Sequence, residues 1–597
     1  MVNQVNDFKF HTEPFDHQRE RFYLYRDKEF HAHLWEQRTG KSKIVIDTAA
    51  WLYGKGQING LLIISPNGVH LGWCRNEIKI HMAPWCGCEP VVWKSSPNAE
   101  ERKYLEKLKK NSSSLGLRCL SMNVEALNTP KGYDFALQFM RNYRTLFVID
   151  EGSIIKNVEA LRTQKIIGHR GKPGLNVHAP YKRLLNGTPV TNSPLDVYPQ
   201  MVFLDDYILP SSYVAFKNRY AVVEMQGKFK WKVMQALEEI AGQWNRLPWG
   251  DMESSEEDGL ITAGLQPLDE GPPIEFTVTR CGRTGFNVNW SCGKQNRKAG
   301  RKLIMTQPGD VYPVVKEYRY LDELQRKIAP HSDRVLKADC LDLPDKIYQK
   351  RYVELSKKQH QMYEELKKKS ITECKGKEMS AGLAIVKMLR LQQIVGGFYV
   401  PDDIQITDQA CLCEDWNTTE EVITTQHLDR KALPIDEKNH RIEALLDDLE
   451  LTDGKALIWA RFVAEIEAIT VALKAKYGKL STEALYGSIP SDKRQDAITR
   501  FQTSDEPRFL VANPACKGVS RGQNLNKATV EYYYSNSFSL EDRLQSEDRI
   551  HSAGVTINVG VIDIVAIGTL DEKIIDALRA KKNLADEVTG DRLISWI

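Results

Sequence analysis

Residues 145–157 read TLFVIDEGSIIKN, and this stretch decides the fold class of the chain. Four apolar residues lead into Asp150 and Glu151, a pattern typical of a buried strand that carries two carboxylates at its C-terminal tip. Ligands bind at that end of the strands in parallel α/β sheets. The alternative interpretation is an Asp-Glu pair that only caps the structure after the strand.

The rhythm around this stretch extends the prediction to two lobes. Short apolar runs alternate with helical patterns over residues 31–205, and the alternation returns in KALIWARF (455–462), RFLVANP (508–514) and VEYYYSNS (530–537). Strands that alternate with helices predict parallel α/β sheets. We therefore expect an α/β protein with two RecA-like parallel-sheet lobes in tandem, an inserted domain and helical protrusions.

The middle of the chain differs in composition. It is rich in Trp, Gly and Pro, and an acidic stretch at 251–258 precedes a basic one. We predict lobe one at 1–221, an insertion at 222–313, the end of lobe one with the inter-lobe connection at 314–354, and lobe two at 355–597, with a polar loop at about 401–436.

Composition excludes several classes of protein. A length of 597 residues predicts two to four domains, and 42% hydrophobic with 27% charged residues is typical of a soluble protein. No apolar run is long enough to cross a bilayer, and the N-terminal residues lack the apolar core of a signal peptide. We expect a cytoplasmic protein with no membrane partner. The net charge of +3 requires any DNA surface to be local.

A second stretch, WEQRTGKSK (35–43), has the core of a phosphate-binding loop. In such a loop, backbone N–H groups at a helix N-terminus cradle phosphates, the lysine (Lys41) reaches the β- and γ-phosphates, and the hydroxyl (Ser42) binds Mg²⁺. Trp35 stands where the strict pattern has its first glycine. An ordinary helix N-terminus is the alternative for the tripeptide alone, and the carboxylates at 150–151 favour the nucleotide site.

The phosphate loop, the two carboxylates and further motifs together make the chain resemble Swi/Snf-type ATPases of helicase superfamily two, close to the forms carried by bacteriophages. The family's opening motif resembles PFDHQ (14–18), and its motif Ia resembles LLIISPNGVHLGW (61–73). Its motif II is matched by Asp150 and Glu151 together with Lys156 and Asn157. LLNGTPVTNSPLDVY (184–198) resembles the G-T-P motif. In lobe two, KALIWARF, LYGSIPSDKRQDAITRF (485–501), NPACKGVSRGQNL (513–525) and LQSEDRIHSAG (544–554) resemble the remaining motifs in the family's order.

The resemblance implies roles for individual residues. The implied catalytic residues are Lys41, Asp150, Glu151 and Arg549. Residues implied to bind ATP are Gln18, Thr39, Gly40, Lys41, Ser42, Gly522, Gln545 and Arg549, with Ser42 and Asp150 as Mg²⁺ ligands. Residues implied to contact DNA from the lobes are Pro66, Thr188 and Asn524.

Two positions depart from the family's motifs. Motif VI, which LQSEDRIHSAG (544–554) resembles, has a second arginine three residues after the first, and Ser552 occupies that position here. In the family these arginines stabilise the charge of the γ-phosphate, so Arg549 is expected to do so alone or with Arg543. Arg38 occupies the place of a small residue in the phosphate loop, where its side chain either folds away or lies over the phosphates.

The resemblance implies a DNA-dependent ATPase that moves along double-stranded DNA, acting as a monomer, in phage replication, recombination or repair. Replication or nucleoprotein proteins are the expected partners. One alternative is a helicase that separates strands on forked or single-stranded DNA. The other is a catalytically weak DNA-binding scaffold, an interpretation that Arg38 and Ser552 favour and that the intact Lys41 and Glu151 oppose.

The basic part of the insertion has two equally weighted interpretations. Residues 280–302 interleave cations with Phe286 and Trp290, a mixture that suits nucleic acid because cations meet phosphates and rings stack on bases. The alternative is a solvated basic loop.

We predict that replacing the five cations of this run by alanine lowers affinity for duplex DNA and flattens its salt dependence, because fewer counterions are then released on binding. The five are Lys294, Arg297, Lys298, Arg301 and Lys302. Fluorescence anisotropy at several salt concentrations measures both quantities. An unchanged salt slope would identify the run as a solvated loop.

Overall fold

We describe a computed structural model, which covers residues 8–109, 116–227, 249–257, 260–267, 274–281, 285–292, 298–305, 311–340, 343–376, 381–400, 432–516, 525–552 and 555–589. The chain forms two compact units, one of Met1–Lys217 with Tyr320–Ile597 and one of Asn218–Arg319. The first unit contains two parallel sheets, so the α/β prediction of two lobes is confirmed. None of the described helices is long and apolar enough to cross a membrane.

Lobe one is built on a seven-stranded parallel sheet. From edge to edge its strands are Ser332–Val335, Phe30–Trp35, Tyr181–Leu185, Thr145–Asp150, Gly60–Ser65, Arg118–Asn123 and Glu89–Val92. All six residues of the central strand Thr145–Asp150 are buried, because helices cover both faces of such a sheet. The sequence pattern therefore identified the central strand correctly.

Helices surround this sheet. The α-helices are Asp16–Tyr25, Lys41–Gly54, Val69–Gly72, Ile78–His81, Ala99–Lys109, Pro130–Asn142, Leu161–Ile167, Val197–Leu204, Tyr213–Tyr220, Leu321–Ile328 and Lys337–Cys340. Short 3₁₀ turns lie at Pro84–Cys86, Val124–Asn128, Gly152–Ile155, Leu175–His178, Pro194–Asp196 and Ala329–His331, and one π-helical turn lies at Trp73–Glu77. Helix Pro130–Asn142 begins where the Thr129 hydroxyl accepts the N–H of Gly132, which satisfies one of its free donors.

Lobe two contains a six-stranded parallel sheet. Its strands, in spatial order, are Lys346–Val353, Val559–Ala566, Ala528–Tyr533, Lys455–Trp459, Phe509–Ala512 and Thr482–Leu485. Its helices are Lys357–Gly376, Ala381–Val395, His440–Glu450, Val463–Tyr477, Ser491–Thr503, Leu540–Ile550 and Leu570–Thr589. A short antiparallel pair joins Phe398–Tyr399 to Leu433–Pro434, and most of the predicted polar loop lies outside the described residues.

Strand Lys346–Val353 corrects the predicted start of lobe two. We expected residues up to 354 to belong to the connection, yet this strand pairs along its whole length with Val559–Ala566 at the C-terminal end of the chain. Along most of this strand exposed residues alternate with partly buried ones, as expected at the edge of a sheet. Because the strand has no continuous apolar run, the sequence pattern does not predict it.

The second unit contains the predicted insertion and is an antiparallel β structure. Five strands follow one another in the order Lys298–Met305, Gly285–Cys292, Ile274–Cys281, Leu260–Pro267 and Trp249–Glu257, and Ala221–Gly227 pairs with Val311–Tyr318. Lys298, Arg301 and Lys302 therefore lie on an edge strand, whereas Lys294 and Arg297 lie outside the described residues.

A buried polar cluster attaches the last strand of lobe one to the first. Asp333 accepts hydrogen bonds from His31 (3.0 Å), His33 (2.8 Å) and the Trp35 indole (2.7 Å). Burial lowers the pKa of His31 to about 3, so its ring is neutral at neutral pH. The carboxylate therefore joins segments about 300 residues apart in sequence.

We predict that Asp333→Ala lowers the free energy of unfolding by about 3–5 kcal/mol, because it leaves several buried donors without their acceptor. Asp322→Ala is the matched control, since Asp322 is exposed and its pairing with Arg326 contributes no more than about 0.5 kcal/mol. Urea unfolding followed by circular dichroism measures both. Equal free energies of unfolding for the two variants would contradict the proposed contribution of the cluster to stability.

Candidate functional site

The phosphate loop adopts a conformation that turns the chain sharply into a helix. Arg38 and Gly40 both have left-handed backbone angles, with φ of 70° and 83°, and helix Lys41–Gly54 begins directly afterwards. Glycine is required at position 40 because a Cβ there would also collide with the Gln18 amide. The N-terminal N–H groups of the helix therefore open onto the loop, where they can bind an anion.

The Lys41 ammonium is buried under this loop. Its Nζ donates to the carbonyl oxygens of Trp35 and Glu36, both at 3.0 Å. Burial lowers the pKa of Lys41, and the negative charges of Glu151 and Asp150 act in the opposite direction. The loop thus holds a cation at the helix N-terminus, beside the carboxylates of motif II.

Gln18 connects the opening motif to the phosphate loop. Its amide accepts the N–H of Phe15 at 2.8 Å and donates to the Gly40 carbonyl at 3.0 Å. The His17 ring is hydrogen-bonded to the Thr39 carbonyl at 2.8 Å, and the Thr39 hydroxyl donates to the Glu36 carbonyl at 2.8 Å. Contact of Gln18 with adenine remains a prediction.

The two carboxylates occupy different environments at the end of the central strand. Asp150 is buried and accepts a 2.7 Å hydrogen bond from the Trp73 indole. Burial, assisted by the neighbouring charge of Glu151, raises the pKa of Asp150 to about 7. Glu151 has a left-handed backbone (φ 58°), and the Gln37 amide donates to its two oxygens at 3.1 and 3.3 Å.

Ser42 and Asp150 offer donors of the right kind for Mg²⁺. Ser42 is half-buried in the first turn of the helix that follows the loop. A hydroxyl and a carboxylate are hard oxygen ligands, and Mg²⁺ commonly takes one or two such protein groups together with phosphate oxygens. The donor set therefore fits the predicted cation.

Helix Leu540–Ile550 of lobe two lies against the end of motif II. Glu541 accepts a hydrogen bond from the Ser153 hydroxyl of lobe one at 2.9 Å, and Lys156 lies 3.6 Å from its other oxygen. The Gln545 amide donates to the same carboxylate at 3.3 Å. This contact between lobes places motif VI beside the residues that follow Glu151.

Arg543 does not face this site, so the prediction that it assists Arg549 is wrong. Its guanidinium donates to both oxygens of Asp563 (2.6 and 3.0 Å), to Glu547 (2.7 Å) and to Asn536 (2.9 Å). The guanidinium carbon also lies 3.5 Å from the centroid of the Tyr533 ring. All these partners belong to lobe two, where Arg543 stabilises the core.

Arg549 and Ser552 are both buried at the end of motif VI. The Arg549 carbonyl accepts the N–H of Leu525 at 2.8 Å, which anchors the end of the helix to the segment before strand Ala528–Tyr533. In the described part of the chain, the Ser552 hydroxyl has no hydrogen-bond partner. A role for Arg549 as the cross-cleft cation remains a prediction.

Arg38 is half-buried among carboxylates of both lobes. Burial lowers its pKa, whereas the negative charges of Asp548, Glu151 and Glu77 oppose that shift. Of the two alternatives raised by the sequence, this charge environment favours a side chain directed to the nucleotide site.

Comparisons with known proteins find similar domains and relatives. Residues 437–554 match the family model "Helicase conserved C-terminal domain". This segment is therefore similar to helicase C-terminal domains. A SWI/SNF-related regulator of chromatin, subfamily A containing DEAD/H box 1 homolog, from Caenorhabditis elegans is 20% identical over 93% of the chain and 49% of its own length. The chromatin-remodeling ATPase INO80 of Cryptococcus neoformans is 30% identical over 26% of the chain and 9% of its own length.

The chain thus spans less than half of the length of each of these relatives. A solved SWI2/SNF2 ATPase core from Sulfolobus solfataricus, in complex with dsDNA, aligns over 99% of this chain and 96% of that one, with 19% identity and a TM-score of 0.34. The domain match and the sequence relatives support a SNF2-type member of helicase superfamily two.

Motif VI also makes contacts that sequence patterns did not identify. Lys337, just after the last strand of lobe one, is ion-paired with Asp548 and donates to the His551 carbonyl at 3.2 Å. Lys346 and Tyr348 both contact Glu547, at 3.0 and 2.8 Å. The sequence around Lys337, Lys346 and Tyr348 gives no indication of these partners, because they lie about 200 residues away in the chain.

The predicted DNA-contacting residues lie in different settings. Pro66 is buried at the end of strand Gly60–Ser65, with exposed Asn67 and Gly68 beside it. Thr188 is half-buried, and its N–H donates to the Asn186 side chain at 3.0 Å. Gly522 and Asn524 lie outside the described residues, as do the side chains of Lys298, Arg301 and Lys302. These DNA contacts remain predictions.

Proposed function

We propose that this protein hydrolyses ATP to move along double-stranded DNA and to remodel DNA or nucleoprotein complexes. The observation that carries the proposal is the convergence of Lys41, Asp150 and Glu151 in lobe one, with motif VI of lobe two docked beside them through Glu541. One relative named as a chromatin-remodeling ATPase and one named as a SWI/SNF-related regulator of chromatin support the same class of activity.

The residues have distinct tasks in this proposal. Lys41 exchanges its two carbonyl partners for phosphate oxygens, which satisfies its buried charge better than neutral carbonyls do. Ser42 and Asp150 would hold Mg²⁺, and the ion would neutralise phosphate charge. Glu151 orients and polarises the attacking water, and Gln37 holds the Glu151 carboxylate in place. Arg549 stabilises the charge that develops on the transferred group.

The DNA part of the proposal rests on the motif order and on the related proteins. We expect contacts mainly with the phosphate backbone, so binding is sequence-independent and weakens as salt rises. Displacement of a third strand from a triplex reports movement along duplex DNA, and displacement of one strand from a fork reports strand separation. Fork displacement without triplex displacement would favour the helicase alternative.

The finer assignment is to phage biology. We propose that the protein is phage-encoded and serves DNA replication, recombination or repair in the host cytoplasm, supported by the resemblance of its motifs to phage forms. Recovery of the tagged protein with phage DNA and replication proteins from infected cells tests this assignment.

We predict that Lys41→Ala weakens ATP binding by about 10- to 100-fold, the loss expected for two or so charge-assisted hydrogen bonds. Glu151→Gln keeps ATP binding and lowers DNA-stimulated turnover by at least about 100-fold, because the water loses its base. Lys55→Ala, at the exposed end of the same helix, is the control and behaves as the unmodified protein. Undiminished turnover in Glu151→Gln would exclude Glu151 as the catalytic carboxylate.

We also predict that replacement of the two arginines of helix Leu540–Ile550 impairs the protein in different ways. Arg549→Ala lowers single-turnover hydrolysis by about 10³-fold or more and changes ATP affinity less, because the cation acts mostly in the transition state. Arg549→Lys rescues poorly, since an ammonium lacks the planar fork.

Arg543→Ala is the comparison variant in this experiment. It leaves Asp563 and Glu547 buried with fewer partners and lowers the free energy of unfolding by about 3–5 kcal/mol. Thermal unfolding and single-turnover hydrolysis at saturating DNA separate the two effects. Hydrolysis by Arg549→Ala at the unmodified rate would contradict the assignment of motif VI.

A further inference from the structure

The segment after strand Gly60–Ser65 has one exposed face and one buried face. It consists of helix Val69–Gly72, the π-helical turn Trp73–Glu77 and helix Ile78–His81. The side chains of Asn67, Arg75, Asn76 and Lys79 are exposed, whereas Trp73 and Ile78 are buried. The resemblance implies DNA contact for Pro66 in motif Ia (61–73), whereas Trp73 at the end of this motif is buried in the protein.

Trp73 contacts the carboxylate proposed to hold Mg²⁺. Its indole N–H donates to Oδ2 of Asp150 at 2.7 Å, and both side chains are buried. Among the described residues, no other hydrogen-bond donor reaches this carboxylate, and none reaches Oδ1. The bond therefore fixes one oxygen of Asp150 and leaves the other for a ligand.

The π-helical turn connects the two faces over a very short distance. Arg75, on the exposed face, is two residues from Trp73. Glu77, at the other end of the turn, is attracted electrostatically to Arg38 of the phosphate loop. Isolated π-turns occur often at functional sites, where they interrupt the regular helix hydrogen-bond pattern. A displacement of the turn would therefore affect both the phosphate loop, through Glu77, and Asp150, through Trp73.

We propose that Trp73 is a positioning residue that orients Asp150 for Mg²⁺ and links the exposed face of residues 66–81 to the nucleotide site. DNA phosphates bound at that face fix the position of the π-helical turn, and the Trp73 indole N–H then fixes the position of the Asp150 carboxylate. Groups that hydrogen-bond a metal ligand typically contribute about 10- to 100-fold to metal affinity. The inference rests on the proposed ATPase function and adds the route by which DNA regulates it.

Packing alone is the competing explanation, since Trp73 belongs to the hydrophobic core of lobe one. Trp73→Phe retains an aromatic ring and removes the N–H. Incorporation of 3-benzothienylalanine at position 73 is a closer probe, because this residue has the shape of tryptophan with sulfur in place of N–H. It keeps the test valid if the phenylalanine variant does not fold.

The first measurement is Mn²⁺ binding by electron paramagnetic resonance, with and without ADP, which needs no turnover. We expect both variants at position 73 to weaken Mn²⁺ binding in the ADP complex by about tenfold, while ADP affinity in EDTA stays unchanged. Trp51→Phe is the matched control, because it removes a 2.7 Å indole–carboxylate bond to Asp27 in the same lobe. Its Mn²⁺ binding should match that of the unmodified protein.

The second measurement is the fold-stimulation of hydrolysis by duplex DNA at saturating Mg²⁺. We expect it to fall several-fold in both variants at position 73, with DNA affinity unchanged. Arg75→Ala should lower stimulation while Mn²⁺ binding without DNA stays normal. Unchanged Mn²⁺ affinity and unchanged stimulation in the benzothienyl variant would overturn the proposal. Absence of DNA-stimulated hydrolysis in the unmodified protein would instead overturn the proposed function, and the Mn²⁺ titration would still test the role of Trp73.

Discussion

The burial of Asp150 at the end of the central strand is the constraint on which the site depends. Removing a carboxylate from water is costly unless cations and hydrogen-bond donors surround it. The sheet places Lys41 and Trp73 around it, and Glu151 next to it raises the cost further. The pKa of about 7 shows that these partners offset the burial only in part. Such a carboxylate is prepared to bind a cation, because a divalent ion supplies the missing positive charge.

The same electrostatic requirement explains how lobe two meets lobe one. Glu541 joins Ser153 and Lys156, and Asp548 is paired with Lys337. The helix that carries motif VI is thus held at both ends by groups of lobe one, with Arg549 near its C-terminal end. Arg543, on the same helix, belongs to an internal network with Asp563. Of the two arginines of this helix, Arg543 is therefore structural, and the role of Arg549 in the cleft stays a prediction.

Sequence reasoning succeeded where the chemistry is local and failed where it depends on distant partners. The strand ending in Asp150 and the helix beginning at Lys41 were predicted because apolar runs and loop glycines determine them. The pairing of strand Lys346–Val353 with the last strand of lobe two, and the direction of Arg543, were not. A polar residue on a helix can face the core, the cleft or the solvent. Its spacing in the sequence does not distinguish these directions, and only its partners in the fold do.

The two departures from the family's motifs offset each other in charge. The resemblance places a small residue at position 38 and an arginine at position 552, whereas this chain has Arg38 and Ser552. The number of cations assigned to the motifs is unchanged, but one moves from the end of motif VI into the phosphate loop. Arg38 there is attracted to Glu151 of lobe one and to Asp548 of lobe two. Because Arg38 belongs to the phosphate loop of lobe one, it would stay beside the phosphates of bound ATP in any position of lobe two. Under the proposed function, Arg549 is the cation that lobe two contributes through motif VI, and the dependence of hydrolysis on lobe closure would then rest on that residue.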